Sequence, residues 1–286
     1  MTTELDALVA LLRLEALGGD RYRGASQDLG WGAVFGGQVL AQALSAASDT
    51  VDAGRLAHSL HAYFLQRGDA ARPIEYAVER LRDGRSFCTR RVVGLQGTSA
   101  IFHLSCSFQV VEPGLEHQDA FPHAPGPSGL ATERELAVPL AGFLPPGLAE
   151  RAVAERAIEV RPVSPRNPLQ PEVRPPHRQV WLRASGALPD DPGLHRLLLA
   201  WASDSHFLTT ALQPHGVSWL TPGLQVASLD HALWFHRPFH MDQWLLYDIR
   251  SPSASGARGV VRGTVHDQRG RLVATVMQEG LIRDRR

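Results

Sequence analysis

The chain has 286 residues, of which 44% are hydrophobic and 20% are charged, and this composition is typical of a folded globular protein rather than a disordered one. Its 29 basic residues balance 29 acidic ones, so it lacks the basic excess of a nucleic-acid or anionic-membrane binder. With only 2 cysteines, it is not a secreted disulfide scaffold.

An amphipathic helix is predicted for residues 3–17, because leucines recur there at helical spacing. This opening segment carries Glu4 and Asp6 and no early basic residue, so it does not resemble a secretory signal peptide. No apolar run elsewhere is long enough to cross a bilayer. We therefore expect no membrane span and a cytoplasmic location.

A second helix and a series of strands are predicted to follow. Residues 36–47 are rich in small residues and read as helical, with Gln38 and Gln42 inside the helix and no acidic residue. Strand-like segments between residues 56 and 111 are separated by tight-turn signals. This pattern indicates neighbouring antiparallel strands.

Proline then accumulates, with 13 of the 20 prolines lying between residues 113 and 176. Proline is unsuited to helix interiors and central strands. We therefore interpret residues 113–150 as a linker and expect only short ordered pieces as far as Pro176.

The remainder repeats the order of the first part, a helix followed by antiparallel strands. Strands are predicted near 178–184, 224–235, 243–251, 259–267 and 272–282, and a helix near 191–212. The sequence thus predicts a first domain over residues 1–112, the linker, and a second domain over residues 151–286. Two such units can join their sheets edge to edge and so hide exposed strands.

Asp204 is the most informative single residue. On the predicted helix it falls on the apolar stripe formed by Leu197, Trp201, Leu208 and Ala211. A buried carboxylate is costly unless it is paired or hydrogen-bonded, and burial raises its pKa toward that of a general base. A skewed helix that exposes Asp204, or a purely structural hydrogen bond to the backbone, would explain the pattern equally well.

Metal and nucleotide chemistry are not favoured by the motifs. The pairs His58 and His61, and His231 and His236, have odd spacings that place each pair on opposite faces of a strand. Serine-elbow, Walker and dinucleotide-binding motifs are absent from the sequence. We therefore expect no metal site.

Several stretches, in the same order, resemble the type II acyl-CoA thioesterases of the double hot-dog class. They are residues 34–44 (VFGGQVLAQAL), 58–69 (HSLHAYFLQRGD), 80–91 (RLRDGRSFCTRR), 202–216 (ASDSHFLTTALQPHG), 228–238 (SLDHALWFHRP), 253–263 (SASGARGVVRG) and 278–280 (QEG). The resemblance implies an α+β fold in which two antiparallel sheets each wrap around a central helix. It also implies hydrolysis of fatty acyl-CoA, no dissociable cofactor, and a homo-oligomer of two or four copies.

In that family an Asp, a Thr and a Gln hold the attacking water. The resemblance assigns these roles to Asp204, to Ser228 at the Thr position, and to Gln278. Serine keeps the hydroxyl but lacks the β-branch, so we expect the hydrogen bond to survive with looser positioning. Asp230 shares strand parity with Ser228 and is the rival base.

Two other functions stay open at this point. A hot-dog enoyl-CoA hydratase would need an Asp and a His acting together, but Asp230 and His231 point to opposite strand faces, and Asp204 and His206 are badly spaced on a helix. A non-catalytic acyl-CoA-binding protein would not need the three polar residues together.

The CoA phosphates are expected to meet surface arginines. The candidates are Arg85, Arg90, Arg258 and Arg262, although ordinary solvated arginines fit the same pattern.

Overall fold

A continuous antiparallel sheet of 13 strands surrounds two helices in the computed structural model, which describes residues 3–30 and 32–285. Within the described ranges, no helix combines the length and the apolar character needed to cross a membrane.

The first half contains the predicted second helix and the predicted strands. Its elements are α1 (Glu4–Leu12), β1 (Glu15–Gly18), β2 (Arg21–Gly24), α2 (Gly36–Ser48), β3 (Arg55–Phe64), β4 (Ile74–Asp83), β5 (Phe87–Gln96) and β6 (Ser99–Val110). The opening helix is shorter than predicted, because Arg13 is extended and the chain enters the hairpin of β1 and β2. The turn of this hairpin uses Gly18 and Gly19 at positive φ.

The proline-rich stretch holds short ordered pieces, as predicted. After an irregular run come α3 (Glu133–Ala137), a 3₁₀-helix (Val138–Phe143), α4 (Pro146–Val153) and β7 (Ile158–Pro162). The irregular run is held to the second half, because Trp181 Nε1 donates a hydrogen bond to the carbonyl of Pro125. Whether residues 113–150 act as a linker between two domains stays a prediction.

The second half repeats the helix and the long strands. Its elements are β8 (His177–Ala184), α5 (Pro192–Ser203), a 3₁₀-helix (Leu208–His215), β9 (Leu224–Ser228), β10 (Asp230–Phe235), β11 (Leu245–Ser255), β12 (Arg258–Asp267) and β13 (Leu272–Asp284). The Asp191 carboxylate caps α5 by accepting the N–H groups of Gly193 and Leu194.

The prediction of one helix as far as residue 212 is wrong. Helix α5 ends at Ser203, Asp204 is its C-cap, and His206 adopts a left-handed conformation with φ of 64°. The most buried apolar residues of α5 are Leu198 and Leu199. Of the predicted stripe, Leu208 and Ala211 are buried in the following 3₁₀-helix, whereas Leu197 and Trp201 are only partly buried against the core. Neither Gly nor Pro marks this helix end in the sequence.

The strand order along the main path of the sheet is β1-β2-β4-β5-β6-β3-β10-β13-β12-β11-β8-β7, and β9 also pairs with β13. The two halves join through β3 and β10, which pair antiparallel with Ala62 opposite His231. The edge-to-edge junction expected from the sequence is therefore present. One difference between the halves bears on the site: α2 leads to β3 through a short turn, whereas α5 leads to β10 through the additional segment 204–229. This segment contains the second 3₁₀-helix and β9.

Candidate active site

Asp204 lies where the C-terminus of α5 meets the N-terminus of α2. Its side chain is only 8% exposed, and its Oδ2 accepts the backbone N–H of Gly37 at 3.0 Å. A Cβ on Gly36 would lie 2.7 Å from Oδ2, and a Cβ on Gly37 would collide with the carbonyl oxygen of Trp201. The two glycines therefore permit the close approach that places a helix N-terminus, with its partial positive charge, against the carboxylate.

The Gln278 side chain links the other two predicted site residues, Asp204 and Ser228. Its Nε2 donates to Asp204 Oδ1 at 3.0 Å and to Ser228 Oγ at 2.6 Å. Gln278 is 1% exposed and shares the inward face of β13 with Val276 and Ala274, as predicted from strand parity. The structure thus brings Asp204, Ser228 and Gln278 into one hydrogen-bonded group.

Burial dominates the electrostatics of Asp204. Desolvation raises its pKa to about 6, and this rise is opposed by hydrogen bonds from Gln278, from the Gly37 N–H and from Ser228. A carboxylate with such a pKa is ionised at neutral pH, yet it can accept and return a proton there. This balance suits a general base.

A β-bulge separates Ser228 from Asp230. Ser228 pairs with Gly280 and Ala232 pairs with Met277, so the strand that carries Ser228 has one more residue than β13 between these pairs. The predicted shared parity of Ser228 and Asp230 is therefore wrong. The Asp230 carboxylate instead accepts the backbone N–H of Glu279 at 2.5 Å.

His231 is a site residue that the sequence reasoning missed. The bulge turns this fully buried ring inward, where its Nδ1 lies 4.0 Å from Asp204 Oδ1 and its Nε2 lies 2.9 Å from Ser203 Oγ. Burial lowers the pKa of His231 to about 3, and a contact with Gln278 only partly opposes this effect. The ring is therefore neutral near pH 7. Regular alternation of faces along an unbroken strand would place His231 on the face opposite Ser228, so the sequence pattern did not predict this arrangement.

The matching helix of the first half has a structural role. Gln42 accepts the hydroxyl of Tyr76 and donates to the carbonyls of Leu11 and Ala25. Gln38 Nε2 also donates to the carbonyl of Ala25. These amides anchor the entry segment of the first half, and no acid lies beside them on α2.

Arg90 is not available to CoA phosphates, contrary to the prediction. Its side chain is 2% exposed and donates to Thr50 Oγ1 and Asp83 Oδ1. Arg258 is exposed but paired with Glu279. Of the four candidates, Arg85 and Arg262 are exposed and form no ion pair with the residues that the structure describes.

Within the described ranges, one group of side chains has metal-like spacing: Asp190, His195 and His240, with candidate ligand atoms within 4.8 Å of one another. His195 Nδ1 accepts the backbone N–H of Met241, so the neutral ring carries its proton on Nε2. A protonated nitrogen is a donor and not a ligand. The group also lies about 13 Å from Asp204 by the helical rise between residues 195 and 204.

Comparison with known proteins covers both halves. Residues 148–281 match a family model described as acyl-CoA thioesterase, and residues 26–109 match one described as acyl-CoA thioesterase N-terminal domain. The chain is 44% identical over 283 residues to acyl-CoA thioesterase 2 from Haemophilus influenzae, with 99% of each chain covered.

Solved structures give the same result for the fold. A crystal structure of an acyl-CoA thioesterase II from Mycobacterium marinum matches with a TM-score of 0.78 and 41% identity over 97% of each chain. A hot-dog protein of unknown function from Alicyclobacillus acidocaldarius matches over 97% of this chain and 98% of its own, with a TM-score of 0.75 at 19% identity, which concerns the fold alone. The predicted α+β double hot-dog fold is confirmed.

Proposed function

The chain belongs to the acyl-CoA thioesterase family, and on that premise we propose that Asp204, Ser228 and Gln278 hold the water that hydrolyses fatty acyl-CoA. One observation carries this assignment: a single amide nitrogen, Nε2 of Gln278, donates to both the Asp204 carboxylate and the Ser228 hydroxyl. Three polar groups converge on one position in an otherwise apolar core.

The reaction needs no covalent intermediate. Asp204 takes a proton from the water as its oxygen bonds to the thioester carbonyl carbon. The tetrahedral intermediate then collapses, the carbon–sulfur bond breaks, and the CoA thiolate takes the proton back from Asp204. The products are a free fatty acid and CoA. General-base help of this kind contributes about 10²–10⁴-fold to a rate.

Ser228 and Gln278 supply orientation. The Ser228 oxygen accepts from Gln278 and its own proton is directed toward Asp204, so a bound water can take that proton as a hydrogen bond in place of the carboxylate. A water held between this hydroxyl and the carboxylate reacts from a fixed geometry, which lowers the entropic part of the barrier.

The two alternative functions are less well supported. The structure does bring a histidine, His231, close to Asp204, as a hydratase would need, but the comparisons with full-length relatives favour hydrolysis. Binding without catalysis would not require a carboxylate whose pKa is raised to about 6 within a donor network.

The test is release of free thiol from saturated acyl-CoAs of increasing chain length, with Asp204→Asn as the inactive reference. Release by the wild type but not by the variant supports the proposal. Hydration of an enoyl-CoA without thiol release would identify the hydratase instead. Tight binding of acyl-CoA without either reaction would identify the non-catalytic acyl-CoA-binding protein.

Oligomer and location remain predictions. We expect two or four copies, which light scattering on the eluted protein measures directly. A cytoplasmic location is expected from the sequence and is tested by fractionation of the source cells.

A further inference from the structure

The site contains a buried histidine that the proposed hydrolysis does not use. His231 on β10 is 0% exposed, so substrate and solvent do not reach the ring in this structure. Any role in catalysis must therefore act through its neighbours. On its two sides these are Ser203, next to Nε2, and Asp204 with Gln278, next to Nδ1.

Two polar atoms at this position lack a hydrogen-bond partner among the described residues: His231 Nδ1 and Gln278 Oε1. The Gln278 amide is oriented by its nitrogen, which donates to Asp204 and Ser228, so its oxygen can only accept. A buried acceptor left without a donor costs about 1–3 kcal/mol. The His231 ring contacts Gln278, so a proton on Nδ1 would supply that donor once the two atoms close to hydrogen-bond geometry, which they do not have in this structure.

The tautomer follows from the remaining contacts. With the proton on Nδ1, the bare Nε2 accepts the Ser203 hydroxyl at 2.9 Å, and that hydroxyl gives up its alternative acceptor, the carbonyl of Ala200 at 2.9 Å. The opposite tautomer would keep the bond to Ala200 but would leave Nδ1 and the Gln278 oxygen as two unpaired acceptors beside the carboxylate. Proton accounting therefore favours Nδ1–H.

We propose that His231 is a positioning residue whose Nδ1–H donates to Gln278 Oε1 and keeps the amide nitrogen turned toward Asp204 and Ser228. Without this donor only the bonds from its nitrogen orient the amide, so the flipped orientation, with the oxygen against the carboxylate, becomes more populated. The inference rests on the proposed function, because it concerns the same water-holding group.

The measurable consequence is a change in the ionisation of Asp204. Donation from Gln278 lowers the pKa of Asp204, so an amide that is no longer fixed allows that pKa to rise. The titratable groups that face Asp204 are His231 on β10 and Tyr247 on β11, and both are neutral near pH 7. The contributions of α2, β9 and β13 are the Gly37 N–H, the Ser228 hydroxyl and the Gln278 amide, none of which is charged.

The experiment compares three substitutions of one ring. His231→Leu removes both nitrogens, His231→Asn keeps an N–H donor close to the position of Nδ1, and His231→Gln places its amide near the position of Nε2. We expect kcat of the Leu variant to fall about tenfold, the worth of one lost hydrogen bond, with little change in KM. The acidic limb of its kcat/KM profile should move to higher pH.

Rescue separates positioning from packing. His231→Asn should recover most of kcat and the wild-type acidic limb, whereas His231→Gln should not. His236→Leu is the matched control, because that ring bonds Thr275 on the other face of the strand. In a Gln278→Ala background, His231→Leu should add no further shift of the acidic limb.

A Leu variant that folds with wild-type kcat and an unmoved acidic limb would overturn the inference. So would an Asn variant as impaired as the Leu and Gln variants, since the donor would then be irrelevant. If Leu does not fold, the Asn and Gln pair decides alone. Thiol release by Asp204→Asn at the wild-type rate would instead remove the proposed function, so the two failures are distinguishable.

Discussion

Gly37 and Asp204 stand 167 positions apart in the chain, yet the backbone N–H of the first donates to the carboxylate of the second at 3.0 Å. The contact joins the N-terminus of one central helix to the C-terminal cap of the other. It also limits how far burial raises the pKa of Asp204, which remains at about 6. The carboxylate is therefore ionised at pH 7 although it lies in the core.

Asp204→Asn should reduce kcat by at least about 10²-fold while the protein stays folded, because an amide can hold the water but cannot take its proton. KM should change little, as expected for a group that acts in the transition state. Steady-state kinetics beside Asp230→Asn measures both effects. Should the Asp230 variant be folded and inactive while the Asp204 variant works, the base is Asp230.

The pH dependence of kcat/KM should show an acidic limb near pH 6. Activity rises with pH through this limb, because Asp204 must lose its proton before it can act as a base. His231, whose pKa is lowered to about 3, stays neutral across the range and contributes no limb there. A profile that is flat from pH 5 to 8 would contradict the assignment of Asp204.

The free energy of unfolding should decrease as Asp204 ionises, whereas activity increases. The folded pKa of Asp204 lies above its ordinary value of 3.8, so its contribution to stability is complete below pH 4 and is lost as pH rises through about 6. The unfolding free energy of the wild type minus that of Asp204→Asn should therefore fall by ~2 kcal/mol between pH 4 and 7.5. Denaturant melts of both proteins at several pH values give this difference. A difference that grows with pH would show that the carboxylate is not desolvated.

Ser228→Ala should lower kcat more than Ser228→Thr. Alanine removes the hydroxyl and leaves one N–H of Gln278 unpaired, at about 1–3 kcal/mol, whereas threonine keeps the oxygen. The thiol-release assay on the two variants decides the matter. Equal activity of the wild type and the alanine variant would exclude Ser228 from the site.

Glu133→Gln should destabilise the protein by about 3 kcal/mol, because a partly buried carboxylate on α3 forms ion pairs with Arg156 and Arg178 and contacts the His206 ring, which burial keeps neutral near pH 7. His206 follows Asp204 by two residues in a strained turn, so kcat should fall as well. The matched control is Glu135→Gln on the same helix, because glutamine retains the capping-box contact that the exposed Glu135 makes with Thr132. Thermal melts and steady-state kinetics of both variants provide the test. Identical behaviour of the two variants would show that Glu133 does not support the turn that contains Asp204 and His206.

Element types were largely predictable because periodicity and turn residues are local properties. The end of α5 was not, since the left-handed His206 that terminates it replaces the expected glycine. The bulge between Ser228 and Asp230 was hidden for a related reason: one extra residue leaves no mark in a hydrophobic pattern, yet it reverses every face that follows.

The site shows the same division. Asp204 was identifiable as an acid among apolar neighbours, although its position at a helix cap was not. The role of Gly37 depends on two helices meeting end to end, and that of His231 depends on the bulge. Both roles depend on tertiary contacts, which cannot be read from a single amino-acid sequence.

The segment 204–229 begins with the Asp204 base and ends just after the Ser228 hydroxyl, and the first half has no equivalent of it. The two halves are therefore alike in scaffold but unlike in chemistry. An aspartate, Asp49, already caps the C-terminus of α2, but the long segment that would return a hydroxyl to it is missing there. With Asp204 as the proposed base, we therefore expect one centre of this kind per chain, and a tight-binding transition-state analogue should titrate at one molecule per chain, however many copies assemble.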